Sequence, residues 1–144
     1  MLKPPREFIY KNQNKTAVFQ LIGGKSRSQV KCLGCGHCSN TYEDLCTLSL
    51  EFPKRRQGGT LSIEECMHQY YAAEHLKGDN KYMCGGCKKR NEARKRFSIE
   101  NTPRTLIIHL KRFTNMGNKI GEFVKYPETL SLKNYMSSTI DSIG

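Results

Sequence analysis

Alternating apolar and polar residues predict a half-buried strand in the first half of the chain. Over residues 44–52, the apolar residues share one parity, and they are Cys46, Leu48, Leu50 and Phe52. Successive side chains of a strand point to opposite faces, so this pattern predicts one face against a core and one towards solvent. Cys46 is therefore expected on the core face.

A pattern with the spacing of a helix follows. Apolar side chains recur at intervals of three and four residues, at Ile63, Cys66, Met67 and Tyr70. Ser62 and Glu65 occupy the positions of a capping box, which marks a helix start. Gly78 comes just after Leu76, and glycine commonly follows the last residues of a helix. We therefore predict one main helix that extends as far as Leu76 and places Cys66 in the core.

Short strands are predicted on both sides of this helix. Their residues are 29–32, 96–99, 106–113, 123–126 and 129–132. The strand at 106–113 begins with apolar residues on both faces, which is typical of a central strand. His109 within it is expected to be a structural strand residue and not a general base. The fold class predicted from these elements is α+β, with a mostly antiparallel sheet.

Charge and cysteine content narrow the class of protein. The 144 residues carry a net charge of +11, which implies an acidic partner, a nucleic acid or one half of a charge-balanced whole. No apolar run approaches the roughly 18–20 residues that cross a membrane, so no membrane association is expected. The N-terminus has no apolar stretch of signal-peptide length. Seven cysteines in such a chain favour an intracellular protein whose thiols bind metal or stay reduced.

Two Cys-x-x-Cys motifs predict a metal site. Each motif contains glycine, and we call residues 32–37 the first knuckle and residues 84–89 the second knuckle. A two-residue spacer lets one tight turn present both sulfurs, and four thiolates suit structural zinc, with Zn–S bonds of about 2.3 Å. We therefore predict one structural zinc ion and no catalysis at this site. Its ligands are predicted to be Cys32, Cys35, Cys84 and Cys87.

Neighbouring residues leave alternatives open for this site. His37 or Cys38 would be able to replace one of the four ligands. The three-cysteine run that begins at Cys32 also resembles the opening of an iron–sulfur ligand run, although the fourth cysteine with its proline is missing nearby. Cys46 and Cys66 are expected to be core residues, and Cys38 a surface residue or a spare ligand.

Several motifs in order closely resemble the middle of the ubiquitin-specific protease catalytic domain. The paired knuckles match the zinc-bearing fingers of that family, and PRTLIIHLKRF at residues 103–113 is similar to its signature strand. Residues 126–132 match the segment that follows that strand. The stretches GGKSRSQVKC and KYPETLSLKNYMS look closest to the animal subgroup associated with the nucleus and nucleolus, which is therefore the expected location.

The resemblance implies an incomplete papain-like domain over residues 16–137. Its fingers would comprise residues 28–104 and its palm strands residues 105–137. Residues 1–15 and 138–144 are expected to be tails.

The same resemblance implies a cysteine protease that cleaves the bond after the C-terminal glycine of ubiquitin, with fingers and palm gripping ubiquitin. No catalytic residue can be assigned in this chain. Residues 40–42, Asn-Thr-Tyr, lack the nucleophilic cysteine of the family motif. Gly36-His37 lies in the first knuckle, not downstream of the last strand. The chain is expected to be part of a deubiquitinase that lacks the catalytic Cys and His, and to be inactive alone.

Two other functions stay open at this stage. One is a stand-alone, non-catalytic zinc module that binds ubiquitin or ubiquitinated proteins. The other is a basic zinc module that binds RNA or DNA through the clusters at residues 54–56, 88–90, 94–96 and 111–112. The lack of tryptophan and the separation of aromatic from basic residues argue against a base-stacking platform. Only weak, nonspecific RNA association is expected.

Overall fold

The computed structural model describes residues 16–53, 60–114 and 116–143. The helices are α1 (Ala17–Ile22), α2 (Ile63–Tyr70) and α3 (Ser137–Ile143), and short 3₁₀ turns occupy Gly78–Asn80 and Lys133–Tyr135. The strands are β1 (Gly24–Cys32), β2 (Cys38–Leu45), β3 (Thr47–Leu50), β4 (Leu61–Ser62), β5 (Glu74–Leu76), β6 (Tyr82–Met83), β7 (Arg90–Asn91), β8 (Ala93–Asn101), β9 (Ile107–Leu110) and β10 (Val124–Lys125).

The largest sheet is antiparallel and has the strand order β2-β1-β8-β5. Strands β1 and β8 are its two central strands, and their register runs from Lys25 opposite Asn101 to Cys32 opposite Ala93. The antiparallel β6–β7 hairpin precedes β8. These pairings confirm the predicted α+β class with a mostly antiparallel sheet.

Two parallel strand pairs and α2 enclose the hydrophobic core. Strand β3 pairs with β9, and β4 pairs with β10. The buried core side chains come from β2, β3, β4, β8 and β10, from α2 and the residue after it, and from the C-terminal segment; they are Leu45, Leu48, Leu50, Leu61, Ile63, Cys66, Met67, Tyr71, Ile99, Val124 and Tyr135. The core therefore lies beside the long sheet, and the two knuckles project from the far end of that sheet.

Helix α2 begins where the capping box predicts and ends earlier than predicted. Ser62 Oγ accepts a hydrogen bond from the Glu65 backbone N–H, and the Glu65 carboxylate accepts one from the Ser62 N–H. The helix stops at Tyr70, and the prediction of helix as far as Leu76 is wrong. Residues 74–76 instead form β5 and pair with β8, so long-range strand pairing overrides local helix propensity.

Other strands also differ from prediction. The strand predicted over residues 44–52 is broken at Cys46, so that residues 44–45 belong to β2 and residues 47–50 form β3. Most of β2 lies where no strand was expected, and β1 and β8 are longer than predicted. Residues 129–132 form no strand and lead into the 3₁₀ turn. Strand β9 covers only part of 106–113, and among the described residues it pairs with β3 alone, so it is not central there.

The segment predicted as a C-terminal tail is largely helical. Helix α3 covers residues 137–143, and Asp141 within it binds Arg27 of β1. The other predicted tail, residues 1–15, lies outside the described residues, and the predicted fingers and palm boundaries stay predictions. None of the helices in the described residues is long and apolar enough to cross a membrane.

Candidate metal centre

The four cysteines of the two knuckles meet at one point. The sulfur atoms of Cys32, Cys35, Cys84 and Cys87 all lie within 4.8 Å of one another. Four sulfurs at about 2.3 Å from a central zinc ion would be separated by about 3.8 Å, and the Cys35 and Cys84 sulfurs are 3.6 Å apart. That separation is too long for a disulfide, whose sulfurs are about 2.05 Å apart. The arrangement therefore fits a tetrahedral metal ion.

The first knuckle is a tight turn closed by two backbone hydrogen bonds. The Cys32 N–H donates to the His37 carbonyl and the Gly36 N–H donates to the Cys32 carbonyl, both at 2.9 Å. Gly36 has a φ of 75°, in the left-handed region that glycine adopts without steric cost. This conformation turns the chain so that both sulfurs of the knuckle point to the same side.

The second knuckle repeats the same turn with different residues. The Cys84 N–H donates to the Lys89 carbonyl at 3.0 Å, and the Lys88 N–H donates to the Cys84 carbonyl at 2.9 Å. Lys88 takes the place of Gly36 and has a φ of 56°, although it is not a glycine. The two knuckles therefore share one backbone geometry, which explains why the same Cys-x-x-Cys spacing serves both.

The pairing of β1 with β8 brings the two knuckles together across a long stretch of sequence. The first knuckle begins at the end of β1, where Cys32 lies opposite Ala93 at the start of β8. The second knuckle is the turn of the β6–β7 hairpin, which leads directly into β8. The Leu33 N–H extends the contact by donating to the Glu92 carbonyl at 2.9 Å. A long-range sheet register thus forms the candidate site.

Glycines allow the knuckles to approach each other closely. A Cβ atom added to Gly34 would lie 2.6 Å from Nδ2 of Asn91, and one added to Gly86 would lie 2.8 Å from Cγ of His37. A Cβ added to Gly85 would meet nothing within 4 Å. Gly34 and Gly86 are therefore needed for the contact between the knuckles, whereas Gly85 is not.

The four sulfurs differ in their surroundings. Cys32 and Cys84 are fully buried, Cys87 is half-buried and Cys35 is exposed. The Gly86 N–H donates to the Cys84 sulfur at 3.3 Å. The metal position would therefore be reached from solvent on the side of Cys35.

Hydrogen bonds from the knuckle backbone prepare some of these thiols to ionise. Burial by itself raises the pKa of Cys32, but hydrogen bonds from backbone N–H groups of Cys35 and Gly34 and from neighbouring thiols outweigh it and lower this pKa to about 7. The backbone N–H of Lys89 is the main cause that lowers the pKa of Cys87. A metal ion binds the deprotonated thiolates, so both effects favour binding near neutral pH.

The pKa of Cys35 moves in the opposite direction. Its hydrogen bond from the backbone N–H of His37 favours the thiolate, but the partial loss of hydration of the sulfur and the three neighbouring thiols outweigh this bond and raise the pKa to about 11. Four adjacent thiols cannot all ionise easily without a cation among them. The donor set therefore calls for a positive ion, which a divalent metal supplies.

The residues considered as substitute ligands stay outside the cluster. The Cys38 sulfur lies 3.6 Å from the Gly36 carbonyl oxygen and is exposed. His37 packs beside Gly86 in the second knuckle. Among the described residues the clustered set is Cys32, Cys35, Cys84 and Cys87, which does not contain the third cysteine of an iron–sulfur run.

The remaining candidate residues have structural positions. Cys66 is fully buried, as predicted. Cys46 is only half-buried, because it follows the end of β2 and lines a groove with side chains of α1, so the prediction of a core residue is wrong for it. His109 is exposed on β9, with its Nδ1 3.5 Å from Ser49 Oγ.

Sequence reasoning missed Asn91 at the candidate site. Its Nδ2 donates a hydrogen bond to the Cys87 sulfur at 3.2 Å. Asn91 lies four residues after Cys87 and outside the spacing of either motif, so the motifs do not indicate it. No local pattern in the sequence marks this residue, because its position beside Cys87 depends on the pairing of β7 with β6.

The fold and the four-cysteine cluster define the chain as an α+β domain with a candidate structural metal centre at the end of its main sheet. The family model described as "Ubiquitin carboxyl-terminal hydrolase" matches residues 7–142. The chain therefore belongs to the ubiquitin carboxyl-terminal hydrolase family, in agreement with the resemblance seen in its sequence.

Curated relatives come from yeast and human. Ubiquitin carboxyl-terminal hydrolase 4 of Saccharomyces cerevisiae (strain YJM789) is 36% identical over 128 residues, which cover 89% of this chain and 14% of that protein. Ubiquitin carboxyl-terminal hydrolase 42 of Homo sapiens is 40% identical over 126 residues, covering 87% of this chain and 9% of that protein. The chain thus spans a small part of the length of these relatives. They do not confirm the predicted animal nucleolar subgroup.

Solved structures share the fold. The SAGA Ubp8/Sgf11/Sus1/Sgf73 DUB module bound to ubiquitin aldehyde matches with a TM-score of 0.73 and 28% identity, over 89% of this chain and 28% of the matched chain. A SAGA DUB module bound to monoubiquitin matches with a TM-score of 0.71 and 28% identity, over 91% of this chain and 32% of the matched chain.

Proposed function

We propose that this chain is the metal-bearing, ubiquitin-contacting part of a deubiquitinating enzyme that hydrolyses the bond after the C-terminal glycine of ubiquitin. The observation that carries this proposal is the family match over residues 7–142. Related DUB modules of known structure are bound to ubiquitin or ubiquitin aldehyde, which supports ubiquitin as the partner. An enzyme that acts on a folded protein needs a rigid surface outside its catalytic centre, and a metal-braced sheet suits that role.

The proposed ion is a single structural zinc. Its ligands would be Cys32, Cys35, Cys84 and Cys87, because their four sulfurs lie close enough together for tetrahedral coordination, and four thiolates are a ligand set that suits structural zinc. Four protein ligands leave no open coordination position, so the ion would brace the knuckles without activating water or substrate. The chain's own residues hold the site together through the backbone bonds within each knuckle and the β1–β8 pairing.

We further propose that the chain supplies neither the catalytic cysteine nor the catalytic histidine. Such a cysteine needs a hydrogen-bonded histidine and access to substrate. Cys66 is fully buried, and within residues 16–53, 60–114 and 116–143 neither Cys38 nor Cys46 has a hydrogen bond to a histidine side chain. The alternative that the chain acts as a stand-alone ubiquitin-binding module predicts the same binding surface without hydrolysis.

The proposal is tested by separating binding from hydrolysis. Isotope-labelled ubiquitin is titrated with the zinc-loaded chain, and hydrolysis of a fluorogenic amide of the ubiquitin C-terminus is measured in parallel. We expect chemical-shift changes in ubiquitin and no hydrolysis. The Cys84→Ser variant is expected to lose binding, whereas Cys46→Ser, whose cysteine lies outside the cluster, is expected to keep it. Hydrolysis by the pure chain, or unchanged ubiquitin spectra, would contradict the proposal.

Association with RNA gains no support from the relatives, which are named as hydrolases. The basic run at residues 94–96 does not form one patch, because alternate residues of β8 face opposite sides of the sheet. Arg96 donates to the Tyr71 carbonyl and Lys95 lies over the Phe97 ring, 5.2 Å from its centroid. The cluster at residues 54–56 lies outside the described residues.

Nuclear or nucleolar location stays a prediction, which imaging of the endogenous protein tests.

A further inference from the structure

One ligand of the candidate metal centre has a side-chain hydrogen-bond donor of its own. Asn91 Nδ2 lies 3.2 Å from the Cys87 sulfur, and both residues are half-buried. A metal-bound thiolate accepts hydrogen bonds and cannot donate them, so the amide must present its NH₂ group to this sulfur. The contact therefore favours the charged, metal-binding form of Cys87.

The Asn91 side chain is also held against the other knuckle. A Cβ atom on Gly34 would lie 2.6 Å from Nδ2 and 2.7 Å from Cγ of Asn91, so the amide group packs directly on the backbone of the first knuckle. The backbone of Asn91 is fixed by pairing with Tyr82 in the β6–β7 hairpin. The amide is thus clamped between the two halves of the site with little freedom to leave Cys87.

Cys35 has a different environment. It is exposed, and the partners that the structure gives its sulfur are the backbone N–H of His37 and the neighbouring thiols. Within the described parts of the chain, no side-chain amide or basic group donates to it. The two sulfurs that are not fully buried therefore differ: the Asn91 amide shields Cys87, whereas Cys35 is open to solvent.

We propose that Asn91 is a positioning residue of the metal centre, which holds the Cys87 thiolate towards the ion and leaves Cys35 as the ligand that dissociates first. Partners of this kind that orient a metal ligand typically contribute 10- to 100-fold to metal affinity. The inference rests on the proposed zinc centre, and it adds the order in which the cysteine ligands dissociate from the ion.

The first test follows the reactivity of individual cysteines. The intact zinc-loaded protein is treated with iodoacetamide, and alkylation at each cysteine is followed by mass spectrometry. We expect Cys35 to react before Cys87. In Asn91→Ala the reaction at Cys87 is expected to accelerate about tenfold, and zinc transfer to a chromogenic chelator to accelerate about 10- to 100-fold. Asn40→Ala removes a matched asparagine that accepts from Gln29 on the exposed sheet, and it is expected to change neither rate.

A second test separates the hydrogen bond from general loosening of the fold. In the cobalt-loaded protein, removing a donor from a thiolate ligand moves the sulfur-to-cobalt charge-transfer band to lower energy. We expect this shift in Asn91→Ala, and also in Gly34→Ala, where the added Cβ pushes the amide away without removing it. Asn91→Asp keeps the shape but replaces the donor by a carboxylate, and it is expected to weaken metal binding more than Asn91→Ala.

The outcomes distinguish this inference from the proposed function. An intact protein that binds no zinc would overturn the metal centre itself. If the protein binds zinc, but the cobalt-loaded forms of both Asn91→Ala and Gly34→Ala show an unshifted charge-transfer band, only the role of Asn91 would be overturned. An equal acceleration of alkylation at Cys35 and Cys87 would also overturn it, because that result indicates loosening of the whole site.

Discussion

Arg27 in β1 and Asp141 in α3 form a bidentate ion pair. Nη1 and Nη2 of Arg27 each donate to a different carboxylate oxygen of Asp141 at 2.7 Å. The arginine side chain is 6% exposed and the aspartate side chain 50% exposed. The arginine Nε also donates to Ser98 Oγ at 3.3 Å. Among the described residues, Asp141 of the C-terminal helix is thus the direct ion-pair partner of a buried guanidinium, which Glu100 also stabilises electrostatically.

Asp141→Asn should therefore destabilise the fold. The substitution removes the only carboxylate that pairs directly with the buried Arg27 among the described residues, and Glu100 then supplies its nearby negative charge without an ion-pair contact. Because the exposed half of the pair is screened by solvent, we expect a loss of about 1–2 kcal/mol in the free energy of unfolding. Urea denaturation measures this quantity. Asp44→Asn is the matched control, since Asp44 forms no ion pair with a residue that the structure describes. Equal stability of the two variants would contradict the proposed role of the pair.

The same ion pair predicts a pH dependence. Hydrogen bonds from Arg27 hold the pKa of Asp141 below its usual value. A carboxyl group with a lowered folded-state pKa stabilises the fold fully above its unfolded pKa of about 3.9, and this contribution is lost as the pH falls through the lower folded-state pKa. The difference in stability between the wild type and Asp141→Asn should therefore be constant near neutral pH and shrink in acid. A difference that grows in acid would contradict this assignment.

Lys88 and Gly36 occupy equivalent positions of the two knuckles, and their difference predicts a stabilising substitution. Lys88 adopts a φ of 56°, which costs a non-glycine residue about 1–2 kcal/mol. Glycine removes this cost but adds about 0.5–1 kcal/mol of backbone entropy to the unfolded state. We expect Lys88→Gly to stabilise the zinc-loaded protein by up to about 1 kcal/mol, the difference of these two effects.

One control for this substitution lies beside Lys88, and the other lies at the equivalent position of the first knuckle. Lys89→Gly removes the same charge at a residue without a positive φ, so it should give no gain in the unfolding free energy. Gly36→Ala should lose about 1 kcal/mol, and because a Cβ there meets nothing within 4 Å, that loss reports backbone conformation alone. A gain of equal size in Lys88→Gly and Lys89→Gly would show that charge, not φ, is responsible.

The contact between the knuckles predicts unequal effects of alanine at adjacent glycines. Gly86→Ala should weaken metal binding, because its Cβ would lie 2.8 Å from Cγ and 3.0 Å from Cβ of His37, and such overpacking costs about 1–3 kcal/mol. Gly85→Ala should have little effect, since its Cβ meets open space. Competition with a chelator of known zinc affinity measures both. His37→Ala added to Gly86→Ala should recover part of the loss, and the absence of any recovery would place the strain elsewhere.

Local signals in the sequence predicted the parts of the fold that depend on neighbouring residues. The capping box of Ser62 and Glu65 marked the start of α2, and the Cys-x-x-Cys spacing identified the four clustered cysteines. The buried parity of Leu48 and Leu50 was also correct. The capping box and the strand parity are set within a few residues of chain, whereas the spacing fixes only the turn of each knuckle, and the β1–β8 register brings the two knuckles together.

Features that depend on distant residues were not predicted. The end of α2 is decided by the pairing of β5 with β8, and nothing in residues 71–76 themselves indicates that pairing. The contact of Asp141 with Arg27 joins residues more than a hundred positions apart, which is why residues 138–144 read as a tail. The side chain of Asn91 reaches Cys87 only because β7 pairs with β6. Long-range register, not composition, determines these three features.

Removal of the metal should loosen the knuckles before it affects the core. Roughly one zinc ion per chain is expected to bind, because four thiolates saturate one tetrahedral ion. Cys84→Ser replaces a fully buried ligand and should bring the zinc content well below one ion, whereas Cys46→Ser should leave it unchanged.

Amide hydrogen exchange then locates the effect of metal removal. Without metal, the bonded N–H groups of Gly36 and Lys88 should exchange faster, while those of β3 in the core should keep their protection. Full zinc content in Cys84→Ser would contradict the four-cysteine site, and loss of protection in β3 together with the knuckles would show that the metal supports the whole fold.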